Sequence, residues 1–279
     1  MTFDARNVLL EQEIDEGWEQ VIQEQWRSNQ AAIRMGLLAE HGTASGEAKI
    51  ENYRAMGAAP WSVVFEHNLL LTQVRSSFAH GDFYPALVGA CALGERIFNQ
   101  LIVALRDDYT NHASTTKRVR RGHPLTNWRS AVEVLQGWGV LSDALAATYN
   151  ELGGQRHAAV HFDPAVGAGL REPALLTLHL VQDIVEGVFS PHGGPPRFIA
   201  EVHGGSFLSL AAELTPIVRR VFVPRSALVS PAHRLVAAES SEATEWTILD
   251  DADYDATPLT DEGFAAALPS GIAAMRAGR

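Results

Sequence analysis

Apolar side chains return at steps of three and four residues along most of the chain, the spacing that lines up one face of an α-helix. From about Asn7 to Glu40 the stripe runs Leu10, Ile14, Trp18, Val21, Ile22, Trp26, Ile33 and Leu37. It predicts one long amphipathic helix or two in line, stopped at His41-Gly42. Gly42-Thr-Ala-Ser-Gly46 has the composition of a linker, so residues 1–46 are expected to pack as a helical arm on the main body or on a partner.

The stripe resumes from about Trp61 to Phe78, breaks at His80-Gly81-Asp82, and continues from Tyr84 through Leu87, Cys91, Gly94, Phe98, Leu101 and Leu105. Two helices joined by so tight a turn should lie antiparallel. Ala86, Gly89, Ala90, Ala92 and Gly94 keep the second helix slim enough for close packing. Glu95 falls on the edge of that stripe, four residues after Cys91 and three before Phe98, which aims its carboxylate at the core margin. A charge there needs a partner.

Two further apolar-striped segments follow, Leu125 to Leu135 and Trp138 to Leu152, with Gly137 and Gly139 between them. The pair Gly153-Gly154 predicts a bend or a helix end. Arg156 to Phe162 then reads as a short segment stopped by Asp163-Pro164, and Glu172 to Phe189 as one more helix with Pro173 in its first turn. The expected fold class is mainly α, an up-and-down helical bundle over 60–190. Beyond the breaker Ser190-Pro-His-Gly-Gly-Pro-Pro196, β-rich runs at Phe198–His203, Ile217–Val223, Arg234–Ala238 and Thr244–Leu249 interleave with a helical stretch at Phe207–Leu214. Residues 197–279 therefore read as a small α+β extension.

Composition narrows the function classes. The 279 residues are 46% hydrophobic, enough for a sizeable core, yet no run approaches the roughly 18 uninterrupted apolar residues of a membrane span. The first residues lack a secretory pattern, so a cytoplasmic protein without membrane association is expected. A single cysteine, Cys91, excludes an internal disulfide and a thiolate-rich metal site. The net charge of -11 argues against coating nucleic acid over the whole surface. A local RNA contact has one candidate, Lys117, Arg118, Arg120 and Arg121, for which a solvated loop fits the same charges; Trp128 reads as a packing anchor that could stack on a base if it lies by this loop. Phosphate-binding loops, dinucleotide fingerprints and a serine-esterase elbow are absent. Asp250–Asp255 lacks the glycine and terminal glutamate of a calcium loop and reads as a solvated acidic turn.

The parts for chemistry stand together at Arg156-His157-Ala-Ala-Val-His161. Arginine offers a permanent cation with a planar fork of donors, and histidine exchanges a proton near neutral pH, which together suit cleavage of a phosphodiester. A five-residue step turns an ideal helix by about 140°, so the two side chains share a face only where the helix starts late or bends, or where two subunits contribute. The glycine pair offers such a late start. His157 and His161 at i, i+4, with Asp163, form a rival zinc pairing, but Ala158 stands where the hydrolytic zinc signature has glutamate and no third ligand is evident.

A helix that follows Gly81-Asp82-Phe83-Tyr84 and continues as PALVGACALGERIFNQLI, with a later arginine, a polar residue, three more residues and a histidine, resembles the HEPN superfamily over roughly Trp61 to Phe189. The resemblance implies a metal-independent endoribonuclease with no cofactor, commonly a homodimer that joins two motifs across a shared cleft, leaving 2′,3′-cyclic phosphate ends on RNA. It maps the motif onto Arg156 and His161, puts His157 in the polar place after the arginine, and makes Glu95 the residue that orients it. It also implies a toxin or defence setting with a cognate antitoxin or defence-complex partner. A non-catalytic scaffold or RNA-binding subunit of a larger complex is the alternative.

Overall fold

The computed structural model describes residues 4–120, 127–160, 169–190, 197–199, 207–226, 228–232, 234–237, 246–249 and 259–267. The protein is mainly helical, and the chain divides after Ser190 into two compact units. In the first unit the bundle is built from α4 (Phe65–His80), α5 (Phe83–Leu105), α7 (Trp128–Gly137), α8 (Asp143–Val160) and α9 (Arg171–Phe189), with the short α6 (Lys117–Arg120) before α7. The turn between α4 and α5 closes on Gly81, whose φ of 89° few other residues adopt; its N–H bonds Phe78 O at 3.0 Å and the Asp82 N–H bonds Ser77 O at 2.9 Å. The two helices therefore reverse direction within three residues of backbone. Helix α5 packs against α4, α7, α8 and α9, and its buried face includes Leu87, Cys91, Ile97, Phe98, Leu101 and Leu105. Length and composition alone would let α5 cross a membrane, but over half of its most apolar window is buried in the bundle. It is the central helix of the core.

The N-terminal region differs from the expected helix or helices in line. Helix α1 (Arg6–Glu11) folds back along α2 (Gln20–His41): Gln30 Nε2 donates to Gln12 O at 2.8 Å, and Arg6 Nη1 reaches Glu40 Oε2 at 2.5 Å. Residues 42–46 are a tight turn, with Gly42 and Ser45 at φ of 81° and 53°, leading straight into a third helix, α3 (Gly46–Ala55). The glycines that suggested a loose tether make this turn. Helix α3 is held to the bundle by Arg171 Nε to Asn52 Oδ1 at 3.0 Å and by His179 Nε2 and Ala55 O, 3.0 Å apart. Residues 4–46 thus belong to the first unit.

The glycine pair is the second departure. Helix α8 runs through Gly153 and Gly154 without interruption, so the short separate segment at Arg156 and the late helix start do not exist. Gly153 is needed for contact, since a Cβ there would lie 2.8 Å from Trp128 Cδ1 and Nε1. Gly94 on α5 serves α8 likewise, where a Cβ would come within 2.5 Å of Leu152 Cδ2. Small residues let α7 and α8 close on each other and on α5.

In the second unit, β1 (Arg234–Ala237) and β2 (Trp246–Leu249) pair antiparallel, and α10 (Leu210–Glu213) and α11 (Asp261–Ala267) are short helices. Ile199, Val229 and Phe264 form a small core with Phe207 against it. The strand expected at Ile217–Val223 is instead a π-helical turn, Val218–Phe222, followed by a 3-10 turn, Val223–Arg225. Val218, Val221 and Phe222 are buried at helical spacing, and that burial overrides the β-branched composition.

Candidate functional site at the α5–α8 margin

Helices α5 and α8 run antiparallel, placing Phe98 by Tyr149, Gly94 by Leu152 and Glu95 by Arg156. Trp128 fixes this arrangement from α7. Its Nε1 donates to Tyr149 O at 2.7 Å, its ring meets Phe98 edge-on with centroids 4.8 Å apart, and its pyrrole atoms lie against Gly153. The ring is thus a packing anchor, half-buried between α5 and α8. At the far end of α8 the Tyr84 hydroxyl donates to Ala159 O at 3.4 Å, tying the last turn to the start of α5.

One turn beyond Gly153, Arg156 meets Glu95. Nε and Nη2 of the guanidinium both lie 2.9 Å from Glu95 Oε2, and the two side chains keep 38% and 34% of their surface exposed. Below them is Cys91, 2% exposed, whose thiol is pushed up to about 11 by burial, against a smaller opposing pull from Arg156. It is held as a neutral thiol. Tyr149 is fully buried with a hydroxyl that has no partner among the described residues, and burial raises its phenol well above the usual range.

The other sequence candidates are placed less closely. His157 is exposed on α8, on a different face from Arg156 by the 100° step of a helix. His161 and Asp163 lie outside the described residues, as do Arg121 and the side chain of Arg118. Lys117 and Arg120 are exposed on α6. Just before α6, Thr115 Oγ1 accepts from Trp138 Nε1 at 3.0 Å, which pins this segment near the N-terminal end of α8. Asp143 to Arg156 is about 20 Å of helix, so the described structure does not bring the anchor of the basic segment to Arg156. Among the described residues, no group of three or more His, Cys, Asp or Glu is positioned to hold a metal ion.

Sequence reasoning missed the part Trp128 and Gly153 play in setting Arg156. A helix with a glycine pair four residues after a buried tyrosine, following an indole-bearing helix, was the available signal. No family model, curated protein or solved structure matches this chain.

Proposed function

We propose that the protein is a metal-independent endoribonuclease of the HEPN type, with the bundle as its catalytic unit, residues 197–279 as a small α+β extension, and RNA as its substrate. The observation that carries this reading is the Arg156–Glu95 pair, a planar cation oriented by a carboxylate and still more than a third exposed at a helix margin. At that exposure an ion pair contributes about 0–1 kcal/mol, little enough for an RNA phosphate to compete for the guanidinium. His161 takes the proton from a ribose 2′-hydroxyl, the 2′-oxygen attacks phosphorus, and the bond to the 5′-oxygen breaks as that oxygen takes a proton from water, which the protonated His161 then restores. Arg156 neutralises the charge that gathers on the non-bridging oxygens. The products are a 2′,3′-cyclic phosphate and a 5′-hydroxyl, with no redox change and no cofactor. His157, exposed next to Arg156 on α8, extends the phosphate-binding surface, and the basic residues Lys117, Arg118, Arg120 and Arg121 are a separate RNA contact. A homodimer supplies the second motif, and a cytoplasmic toxin or defence role with a restraining partner fits such an activity.

The second reading is a non-catalytic scaffold or RNA-binding subunit. It is favoured by the same pair, because Glu95 and Arg156 also join α5 to α8. Incubation of the full chain with mixed RNA in EDTA, wild type beside His161→Ala and Arg156→Ala, separates the two. Cleavage to cyclic phosphate ends that both variants abolish supports the enzyme. RNA left intact by a folded wild-type dimer, with or without added metal, supports the scaffold.

A further inference from the structure

A mostly apolar cavity of about 210 Å³ lies where the N-terminal helices meet α4, lined by Arg75, His41, Tyr53, Met56 and Trp61, with Asp4 and Glu40 at its rim. Arg75 is 7% exposed, and every acceptor it has is neutral: Met56 O at 3.3 Å, Gly57 O at 2.8 Å and Gln182 Oε1. No carboxylate pairs with it among the described residues, and its Nε–H makes no hydrogen bond there. His41 is 8% exposed, with both ring nitrogens buried and without a hydrogen-bond partner. Asp4 answers the Arg75 charge only through space, without contact, and Glu40 Oε1 lies 3.8 Å from His41 Nε2, beyond hydrogen-bond reach, so a buried cation and a buried imidazole are both left without a bonded partner charge. They border one cavity.

The two carboxylates at the rim are already engaged. Asp4 accepts from Arg6 Nε at 2.9 Å and from the Tyr53 hydroxyl at 2.8 Å, and Glu40 accepts from Arg6 Nη1 at 2.5 Å. A cation would have to displace Arg6 from both. An anion meets a guanidinium with donors to spare and an imidazole N–H. Burial lowers the His41 pKa, so its ring is neutral near pH 7 and presents one donor and one acceptor.

We propose that this cavity binds a small organic oxyanion, its carboxylate or phosphate group against Arg75 and His41 and a compact apolar body against Met56 and Trp61. The volume corresponds to about seven waters at roughly 30 Å³ each, below the roughly 300–1,000 Å³ of drug-sized sites. That excludes an oligonucleotide or a nucleoside triphosphate. Because its walls come from α2, α3 and α4, an occupant would clamp the N-terminal hairpin to the bundle.

Titration calorimetry of the full chain with benzoate and with phenyl phosphate, against sodium chloride at matched ionic strength, tests the site. One or both oxyanions should bind, with a shift of the His41 imidazole resonances, and His41→Phe and Arg75→Met should each weaken binding at least tenfold. Benzoate alone assigns a carboxylate, and phenyl phosphate alone a phosphate ester. Absence of heat and of any His41 shift up to the order of 10 mM, or unchanged affinity in His41→Phe, overturns the proposal. If Arg75→Met does not fold, the His41 variant and the wild-type imidazole spectrum decide. None of these readouts involves RNA, so failure here and failure of the ribonuclease reading are distinct.

Discussion

Arg156 and Arg75 both sit against helix walls of the same unit, and they differ in what answers their charge. Arg156 has a carboxylate in direct contact and open surface; Arg75 touches only carbonyl and amide oxygens in the interior, with Asp4 acting on it through space. The exposed pair contributes little to stability and is open to competition from a passing phosphate, whereas the enclosed cation is tied into the packing and gains most from a ligand that brings charge with it. Position in the fold, not residue type, decides how each arginine's charge is answered.

The largest effect should come from Arg75→Ala. It strips a donor from Met56 O, Gly57 O and Gln182 at once and should destabilise the chain by about 3 kcal/mol, with Arg75→Met recovering part of the loss. A urea midpoint that does not move would show that the guanidinium is not enclosed. Arg156→Ala should do the opposite: cleavage down by about 100-fold or more, and the midpoint shifted by less than about 1 kcal/mol. Equal losses in both assays would erase the contrast.

Gly153→Ala drives a methyl into the Trp128 ring, so a cost of about 1–2 kcal/mol should accompany a loss of cleavage, even though the glycine touches neither Arg156 nor RNA. Retained activity would detach the indole from the site. The smallest effect is in acid. Burial opposes ionisation of Asp4, but hydrogen bonds from Arg6 and Tyr53 outweigh it and lower the carboxyl from 3.8 to about 2. A depressed carboxyl contributes stability above its unfolded value and loses it as pH falls through the folded one. The wild type should therefore lose stability between about pH 4 and pH 2 more steeply than Asp4→Asn; parallel acid profiles would place Asp4 outside the network.

Much of the bundle was legible because burial on one face of a helix leaves a period in the sequence. The stripes around Leu71, Leu101 and Val181 identified α4, α5 and α9, and a charge at the edge of one of them pointed to Glu95. The same test applied to α4 would have singled out Arg75, four residues after Leu71 and three before Phe78. What periodicity could not convey was the reason for a glycine. Gly153 has the composition of a break, yet it is absorbed in a contact with a residue 25 positions earlier. The hairpin of α1 on α2 and the turns at 218–225 were hidden for a like cause, since long-range packing chose between local options of similar propensity.

The seat of the Trp128 ring on Gly153 sets an angle as well as a distance. Each residue of a helix advances about 1.5 Å and turns about 100°. Slipping α8 by a single residue in one direction would drive the Leu152 side chain into the indole, and either slip would swing the Arg156 guanidinium away from the Glu95 wall. The ring works as a key in a slot, so the register that it sets for α8 is also the register in which the rim cation faces Glu95.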